Sequence, residues 1–327
     1  MATNNIPDQI DGVLARKRAM LARTITMIES ALPEHQEMAQ KVLDALIPYA
    51  GNAVRVGITG VPGVGKSTFI ESFGMMLVEQ GHRVAVLAVD PSSSKSGGSV
   101  MGDKTRMEKL SLHPQAYIRP SPSSGTLGGV AKKTRETMII CEAAGYDIIL
   151  VETVGVGQSE TTVASMVDFF LLLMLAGAGD ELQGIKKGIL ELADAIAINK
   201  ADGDNIDRAM EAKNDYNSAL NLLTSDSAIW SVPVLTCSAL TTDGLEDIWQ
   251  TILDHRDRLN STGELTERRR RQAIDWMWAL IEDGLKDQFK TNADVKAQLP
   301  EMIRAVEKGK TSPTAAAHQL LARHLKG

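Results

Sequence analysis

The segment Gly60, Val61, Pro62, Gly63, Val64, Gly65, Lys66 and Ser67 carries the strongest chemical signal in the 327-residue chain. Its glycines allow backbone N–H groups to converge on a phosphate without Cβ obstruction, and a following helix adds the positive end of its dipole. Lys66 is suited to the β and γ phosphates, the Ser67 hydroxyl to Mg²⁺, and Thr68 completes the set of expected nucleotide contacts. The context is the one the motif requires: the apolar run VRVGIT precedes it and a helical run, Thr68 to Gln80, follows. A glycine turn that only packs is the alternative reading.

A second constellation, Asn199-Lys200-Ala201-Asp202, ends the apolar run AIAINK. The Asp202 carboxylate can accept hydrogen bonds from both N1–H and the exocyclic amine of guanine, a donor pair that adenine lacks. Asn199 can brace the phosphate loop, the stem of Lys200 can cover the base, and Ser238, Ala239 and Leu240 end the next apolar run. The competing reading is an Asp202 that only caps the helix starting near Ile206.

Three acids follow strands or lie in glycine-rich loops: Asp90 after VAVLAV, Asp103 in GGSVMGDKTRM and Glu152 at the end of DIILVET. Each can hold Mg²⁺ or its waters. A bare carboxylate after so apolar a strand as that before Asp90 is costly without a metal or hydrogen bonds, although an Asx turn before Pro91 also accounts for it. Asp103 reads equally as a solvated loop acid. Glu152 opens ETVG, whose Gly155 can offer its N–H to the γ-phosphate; most small GTPases carry Asp at the first position and Gln just after the glycine, whereas here the nearest Gln is Gln158. No residue is assigned to orient the attacking water. Lys186 and Lys187, in AGAGDELQGIKKG, can move towards the nucleotide or belong to a solvated helical face.

These residues need a scaffold, and the pattern from Val54 onward supplies one. Six short apolar runs, VRVGIT, VAVLAV, DIILVET, DFFLLLML, AIAINK and VPVLTCS, alternate with amphipathic helices. Runs of that kind suit a parallel sheet covered on both faces, so the expected fold class is α/β, a doubly wound, mostly parallel P-loop NTPase sheet. It has a helical hairpin before it, broken at Leu32-Pro33, and helices after it. The expected organisation is residues 1–50 as an N-terminal helical extension, 51–260 as the nucleotide-binding domain and 261–327 as a C-terminal helical arm. Asn260 to Gly263 reads as the linker to the arm. Within the arm Ile274, Met277, Trp278, Ile281, Leu285 and Phe289 form an apolar stripe, either intrachain core or a dimer seam. A last helix is expected from Pro313 to Leu325.

Composition narrows the function classes. The chain has 35 basic against 41 acidic side chains, a formal charge of −6, and 4% aromatics, which speaks against a dedicated nucleic-acid binder. Two cysteines, Cys141 and Cys237, give neither a disulfide scaffold nor a CxxC site and fit a reducing cytoplasm. The N-terminal stretch has no apolar h-region, and the most apolar run, Phe169 to Ala178, is too short to span a bilayer.

Taken together, GVPGVGKS, VDPSS, ETVGVGQSE, AGAGDELQGIKKG and NKAD resemble the ArgK/MeaB family of P-loop GTPases over nearly the whole chain. The resemblance implies a GTP- and Mg²⁺-dependent chaperone of adenosylcobalamin-dependent methylmalonyl-CoA mutase, which gates cofactor loading and protects the mutase. It also implies a homodimer through the C-terminal arm, and Asp90, Asp103, Glu152 and Lys186 as magnesium or hydrolysis residues. An older description of relatives as arginine-transport ATPases is disfavoured by NKAD. Three rivals are weighed on residues. A metal-delivery GTPase would carry ligand-spaced His or Cys, whereas His35, His82, His113, His255, His318 and His324 are scattered. A nucleic-acid-binding GTPase has only Arg268 to Arg271 in its favour, and a basic run beside Glu264 and Glu267 reads as a solvated face or an interface salt-bridge set. A small-molecule kinase would need lid arginines such as Arg106, Arg119 and Arg135, yet has no use for NKAD. With no arginine finger evident in the sequence, slow hydrolysis awaiting a partner is expected.

Overall fold

Strands this apolar are stable only with both faces covered, and the computed structural model shows how that is met. It describes the chain except residues 1–4, 31, 90–106, 121–126, 154–158, 178–186, 224–228 and 325–327. Seven strands form one sheet, every pairing parallel: β1 (Val54–Gly60), β2 (Val84–Val89), β3 (Ala116–Arg119), β4 (Ile148–Thr153), β5 (Phe169–Leu175), β6 (Ala195–Asn199) and β7 (Val234–Thr236). Their order is β3-β2-β4-β1-β5-β6-β7. The chain winds one way from β1 out to β3, returns through β4, then winds the other way through β5. The carboxyl end of β1, between β4 and β5, is therefore the topological switch point where ligands of such sheets sit.

Alternation along the strands feeds two cores. Val56, Ile58, Ile148, Leu150, Leu171 and Leu173 pack with Phe69, Phe73, Ile248 and Trp249 of α4 (Lys66–Glu79) and α10 (Leu245–Ser261). Ala85, Leu87, Ile149, Val151 and Phe170 face the other way. They pack with α6 (Leu127–Ala143) and with the leader helices α1 (Ile6–Leu14), α2 (Arg18–Glu29) and α3 (Pro33–Leu46). A third cluster joins β5 and β6 to α9 (Ile206–Leu223) through Leu172, Met174, Ile198, Ala212 and Tyr216. Three further short helices lie between strands: α5 (Glu108–Leu112), α7 (Ser159–Ala164) and α8 (Lys187–Leu190).

The leader is built into this unit. Arg119, at the end of β3, pairs with Glu29 of α2, and Lys133 of α6 donates to the Glu29 carbonyl. It comprises three helices rather than the expected hairpin, because the chain also turns at Ala15 to Lys17, where Arg16 takes φ +60°. Strand β3 was not expected from the sequence. The segment reading as a linker from Asn260 is also helical as far as Ser261, so only Thr262 and Gly263, with Gly263 at φ +75°, separate α10 from α11 (Glu264–Thr291). Cys141 and Cys237 are both free and buried.

The chain divides into two compact units, Met1–Arg268 and Arg269–Gly327. The second holds most of α11 together with α12 (Ala293–Glu307) and α13 (Pro313–His324). The Asn292 side chain caps α12 by accepting from Asp294 N at 2.9 Å and Val295 N at 3.1 Å. Val295, Ala316 and Leu320 are buried. The stripe is not: Ile274, Met277, Trp278, Ile281 and Leu285 stand 40 to 57% exposed, so the intrachain-core alternative does not hold for these five.

Arg268 is not a solvated charge. Its guanidinium donates to Asp194 at 3.1 and 3.3 Å, at the amino end of β6. Asp194 Oδ2 also accepts from Phe170 N at 2.8 Å, and His255 Nε2 of α10 lies 3.5 Å from Oδ1. The buried His255 ring meets Phe169 and Trp230 edge-on. Burial alone would raise the Asp194 carboxyl, but the His255 hydrogen bond and Arg268 outweigh it and hold it below the usual carboxylate range. A carboxyl lowered on folding stabilises the fold above its unfolded pKa, roughly 4, and that contribution is lost as pH falls through the folded value. Asp194→Ala leaves Arg268 and His255 without their anion. We expect it to cost about 3 kcal/mol, seen as a melting midpoint lower by roughly 5–10 °C at neutral pH and a difference from wild type that shrinks on acidification.

Candidate functional site

The carboxyl ends of β1, β4, β6 and β7 bring the two principal motifs together. Between β1 and α4 the loop closes tightly: a Cβ on Gly60 would stand 2.4 Å from the Leu173 carbonyl oxygen of β5, so only glycine fits there. Gly65 enters α4 at φ +92°, a left-handed conformation that favours glycine. Val64 is fully buried and fixes the loop from below. The following N–H groups open α4, the arrangement that binds anions at a helix start.

Asn199, the last residue of β6, is the joint between the motifs. Its Nδ2 donates to Val64 O at 2.8 Å, and its Oδ1 accepts from Ala239 N at 3.1 Å, with the Cys237 thiol 3.7 Å away. Lys200 takes φ +61° and its Nζ donates to Gly63 O at 2.9 Å, laying its stem along the phosphate loop. Asp202 accepts from Ser238 Oγ, and the same Oγ accepts from Leu240 N at 3.2 Å and Thr241 N at 3.1 Å. The turn after β7 is thus folded around one hydroxyl that also orients the Asp202 carboxylate. Ser72 Oγ of α4 donates to Ala239 O at 2.6 Å, a further tie that the sequence did not suggest.

On the phosphate side, Lys66 Nζ donates to Gly60 O at 2.7 Å and more weakly to Val61 O at 3.4 Å. Burial pulls the Lys66 ammonium below its ordinary value, opposed by the charges of Glu152 and Glu160. Ser67 Oγ, in the first turn of α4, donates to Glu152 Oε1 near the end of β4 at 3.3 Å. Behind them Thr153 and Thr59 hydroxyls pair at 2.8 Å, satisfying two buried polar groups. Asp90, Asp103, Gly155 and Lys186 lie outside the described residues. Glu160, in the first turn of α7, was missed by the sequence reading; it is buried, with an oxygen that has no hydrogen-bond partner among the described residues. Its only sequence signal is an acid at the start of the helix that follows ETVG.

The arginines a kinase lid would need are committed elsewhere where they are described. Arg119 pairs with Glu29 and Arg135 donates to Ser165; Arg106 lies outside the described residues. Among the described residues no group of three or more His, Cys, Asp or Glu side chains is arranged to hold a metal, and no helix is long and apolar enough to cross a membrane.

A parallel sheet wound both ways, with this loop at its switch point, defines a P-loop nucleotide-binding α/β protein. Residues 21–294 match the model of the family described as methylmalonyl Co-A mutase-associated GTPase MeaB, and the chain belongs to that family. It is 49% identical over 304 residues to GTPase ArgK of Escherichia coli, covering 93% of this chain and 92% of that one. It is 48% identical over 320 residues to the mitochondrial methylmalonic aciduria type A homolog of Mus musculus, covering 95% and 77%. The crystal structure titled LAO/AO transport system kinase superposes with a TM-score of 0.79 at 40% identity, over 100% of this chain and 99% of that one.

Removing the joint tests the geometry. Asn199→Ala strands the buried Ala239 N–H and Val64 carbonyl, which should cost about 2 kcal/mol. We expect a lower melting midpoint together with weaker nucleotide binding, measured by fluorescent-nucleotide titration, whereas Glu211→Ala on the exposed face of α9 should change neither.

Proposed function

We propose that the protein binds and hydrolyses GTP with Mg²⁺, slowly when alone, and serves as a chaperone of adenosylcobalamin-dependent methylmalonyl-CoA mutase, gating the loading of the mutase's cofactor and protecting the mutase. The observation that carries the nucleotide part is the single hydrogen-bonded unit joining the phosphate loop to the NKAD and Ser238 turns through Asn199. In this reading residues Gly60 to Thr68 wrap the phosphates, with Gly155 at the γ end. Asp202, oriented by Ser238, takes the guanine edge, Lys200 covers its face, and Ala239 and Leu240 close the turn.

Mg²⁺ suits the donors present. Ser67 and Glu152 offer hard oxygens 3.3 Å apart, and Mg²⁺ is usually held by one or two protein oxygens with phosphates and waters completing its octahedron. Bound there, it would neutralise charge between the β and γ phosphates. Lys66 would leave the loop carbonyls for phosphate oxygens, which are stronger, charged acceptors. Asp90, Asp103 and Lys186 are assigned to the same machinery by likeness to the family.

The mutase role is supported by the family description and by the mouse relative's name. A homodimer through the C-terminal arm is supported by the exposed stripe, which carries the large apolar groups that seams between helices bury. A cytoplasmic location accords with the two free cysteines. The proposed partners include neither nucleic acid nor membrane.

Steady-state hydrolysis of GTP and ATP, with and without excess mutase, tests the reading. We expect a slow, GTP-selective rate raised about tenfold by the mutase, abolished in Lys66→Ala, and extended towards xanthosine triphosphate in Asp202→Asn. Full GTP turnover in Lys66→Ala overturns the site; no response to the mutase overturns the partner. For the arm, Leu285→Glu should convert a dimer into a monomer in sedimentation velocity, and a wild-type monomer at micromolar concentration contradicts the assignment.

A further inference from the structure

Two carboxylates flank Lys66, and their situations differ. Glu152 closes β4 and is engaged by the Ser67 hydroxyl. Glu160 stands at the second position of α7 (Ser159–Ala164), 2% exposed, and its Oε2 is buried without a hydrogen-bond partner among the described residues. Helix α7 is pressed onto β1: Val163 Cγ1 lies 2.9 Å from where a Cβ on Gly57 would stand, three residues before the phosphate loop begins. Helix α7 follows the carboxyl end of β4, as the phosphate loop follows that of the parallel neighbour β1, so Glu160 in its first turn lies at the phosphate end of the sheet, where its charge acts on Lys66.

A buried carboxylate oxygen with an open lone pair is costly, and native folds leave few of them without a purpose. What completes it must be a hydrogen-bond donor or a cation, since the neighbouring site is built for an anionic phosphate. With Mg²⁺ assigned to Ser67 and Glu152 and Lys66 to phosphate oxygens, as proposed above, a water is the donor that remains.

We propose that Glu160 orders the water that attacks the γ-phosphate, the part that Gln plays in many GTPases. The inference rests on the GTP-hydrolysing function proposed above. Oε2 accepts one hydrogen bond from the water and aims its oxygen at phosphorus. The water oxygen bonds to the γ-phosphorus while the bond from that phosphorus to the β–γ bridging oxygen breaks, and its electron pair leaves on GDP. Both water protons end on the released dihydrogen phosphate, so GTP⁴⁻ and water become GDP³⁻ and H₂PO₄⁻, and Glu160 finishes as it started.

The test uses the full-length chain, preloaded with GTP and Mg²⁺, in single-turnover hydrolysis alongside GTP and GDP affinities. Glu160→Ala removes the acceptor, and Glu160→Asp keeps the charge but withdraws the oxygen by one methylene; each should slow hydrolysis about 30-fold or more. Glu160→Gln removes the charge but keeps an acceptor oxygen in place, and should slow it only about fivefold. Affinities and the Mg²⁺ concentration for half-maximal rate should stay within about threefold of wild type in all three. A role confined to charge balance with Lys66 predicts the opposite order, with Asp active and Gln inactive, and would overturn the inference. So would an unchanged rate in Glu160→Ala, a loss of rate matched by an equal loss of affinity, or a raised Mg²⁺ requirement. If wild type does not turn over bound GTP, the hydrolytic function itself fails; if wild type does and Lys66→Ala does not while Glu160→Ala does, the inference about Glu160 fails alone.

Discussion

Asn199 occupies the last position of β6 with 1% of its surface exposed, and it uses both ends of its amide across strands. β6 is not a neighbour of β1; β5 lies between them, and Leu173 of β5 already presses against Gly60. The amide therefore reaches over β5 to the Val64 carbonyl while holding the Ala239 N–H of the turn after β7. An aliphatic side chain would leave two buried backbone groups unpaired, and an acid could supply only the acceptor half. A phosphate-binding loop and a base-binding loop more than 130 residues apart become one rigid object through one side chain, which is what a ligand spanning both requires.

That arrangement depends on the sheet beneath it. The winding reverses at β1, so the carboxyl ends of β1, β4 and β6 face one crevice, and the two helical layers are needed because the strands are apolar on both faces. The leader helices supply part of one layer, and the Glu29 to Arg119 ion pair ties them to the edge strand β3. At the other end of the sheet Asp194 gathers Phe170, His255 and Arg268. Arg268 is the last residue of the first unit, and its contact with Asp194 lies within that unit.

The parts legible in the sequence are those whose chemistry is local. The phosphate loop needs its glycines, lysine and serine within eight residues, and six of the seven strands announce themselves by unbroken apolar runs. Strand β3 has four residues, ends on Arg119 and pairs on one side, so its pattern is too brief to register. Helix α12 contains Pro300, which reads as a break in a sequence although the helix accommodates it. Arg268 read as one member of a basic run, on a solvated face or in an interface salt-bridge set, because its partner Asp194 lies 74 residues earlier. The carboxylate of Glu160 gave little signal for the same reason: burial is a property of the fold, and α7 comes to rest on Gly57 only once β1 and β4 are paired.

Charge bookkeeping at the phosphate end explains why such a site would need a divalent cation. The side chains described around it are two lysines and two carboxylates, Lys66 and Lys200 with Glu152 and Glu160, a sum of zero where a triphosphate carrying about −4 is to bind. The backbone N–H groups at the start of α4 contribute roughly half a positive charge, too little to offset that. Lys66 is itself held on the Gly60 carbonyl. In the proposed mechanism Ser67 and Glu152 would hold Mg²⁺, whose two positive charges would offset part of the phosphate charge. Glu160, whose Oε2 has no hydrogen-bond partner among the described residues, is the carboxylate that this assignment leaves for the attacking water.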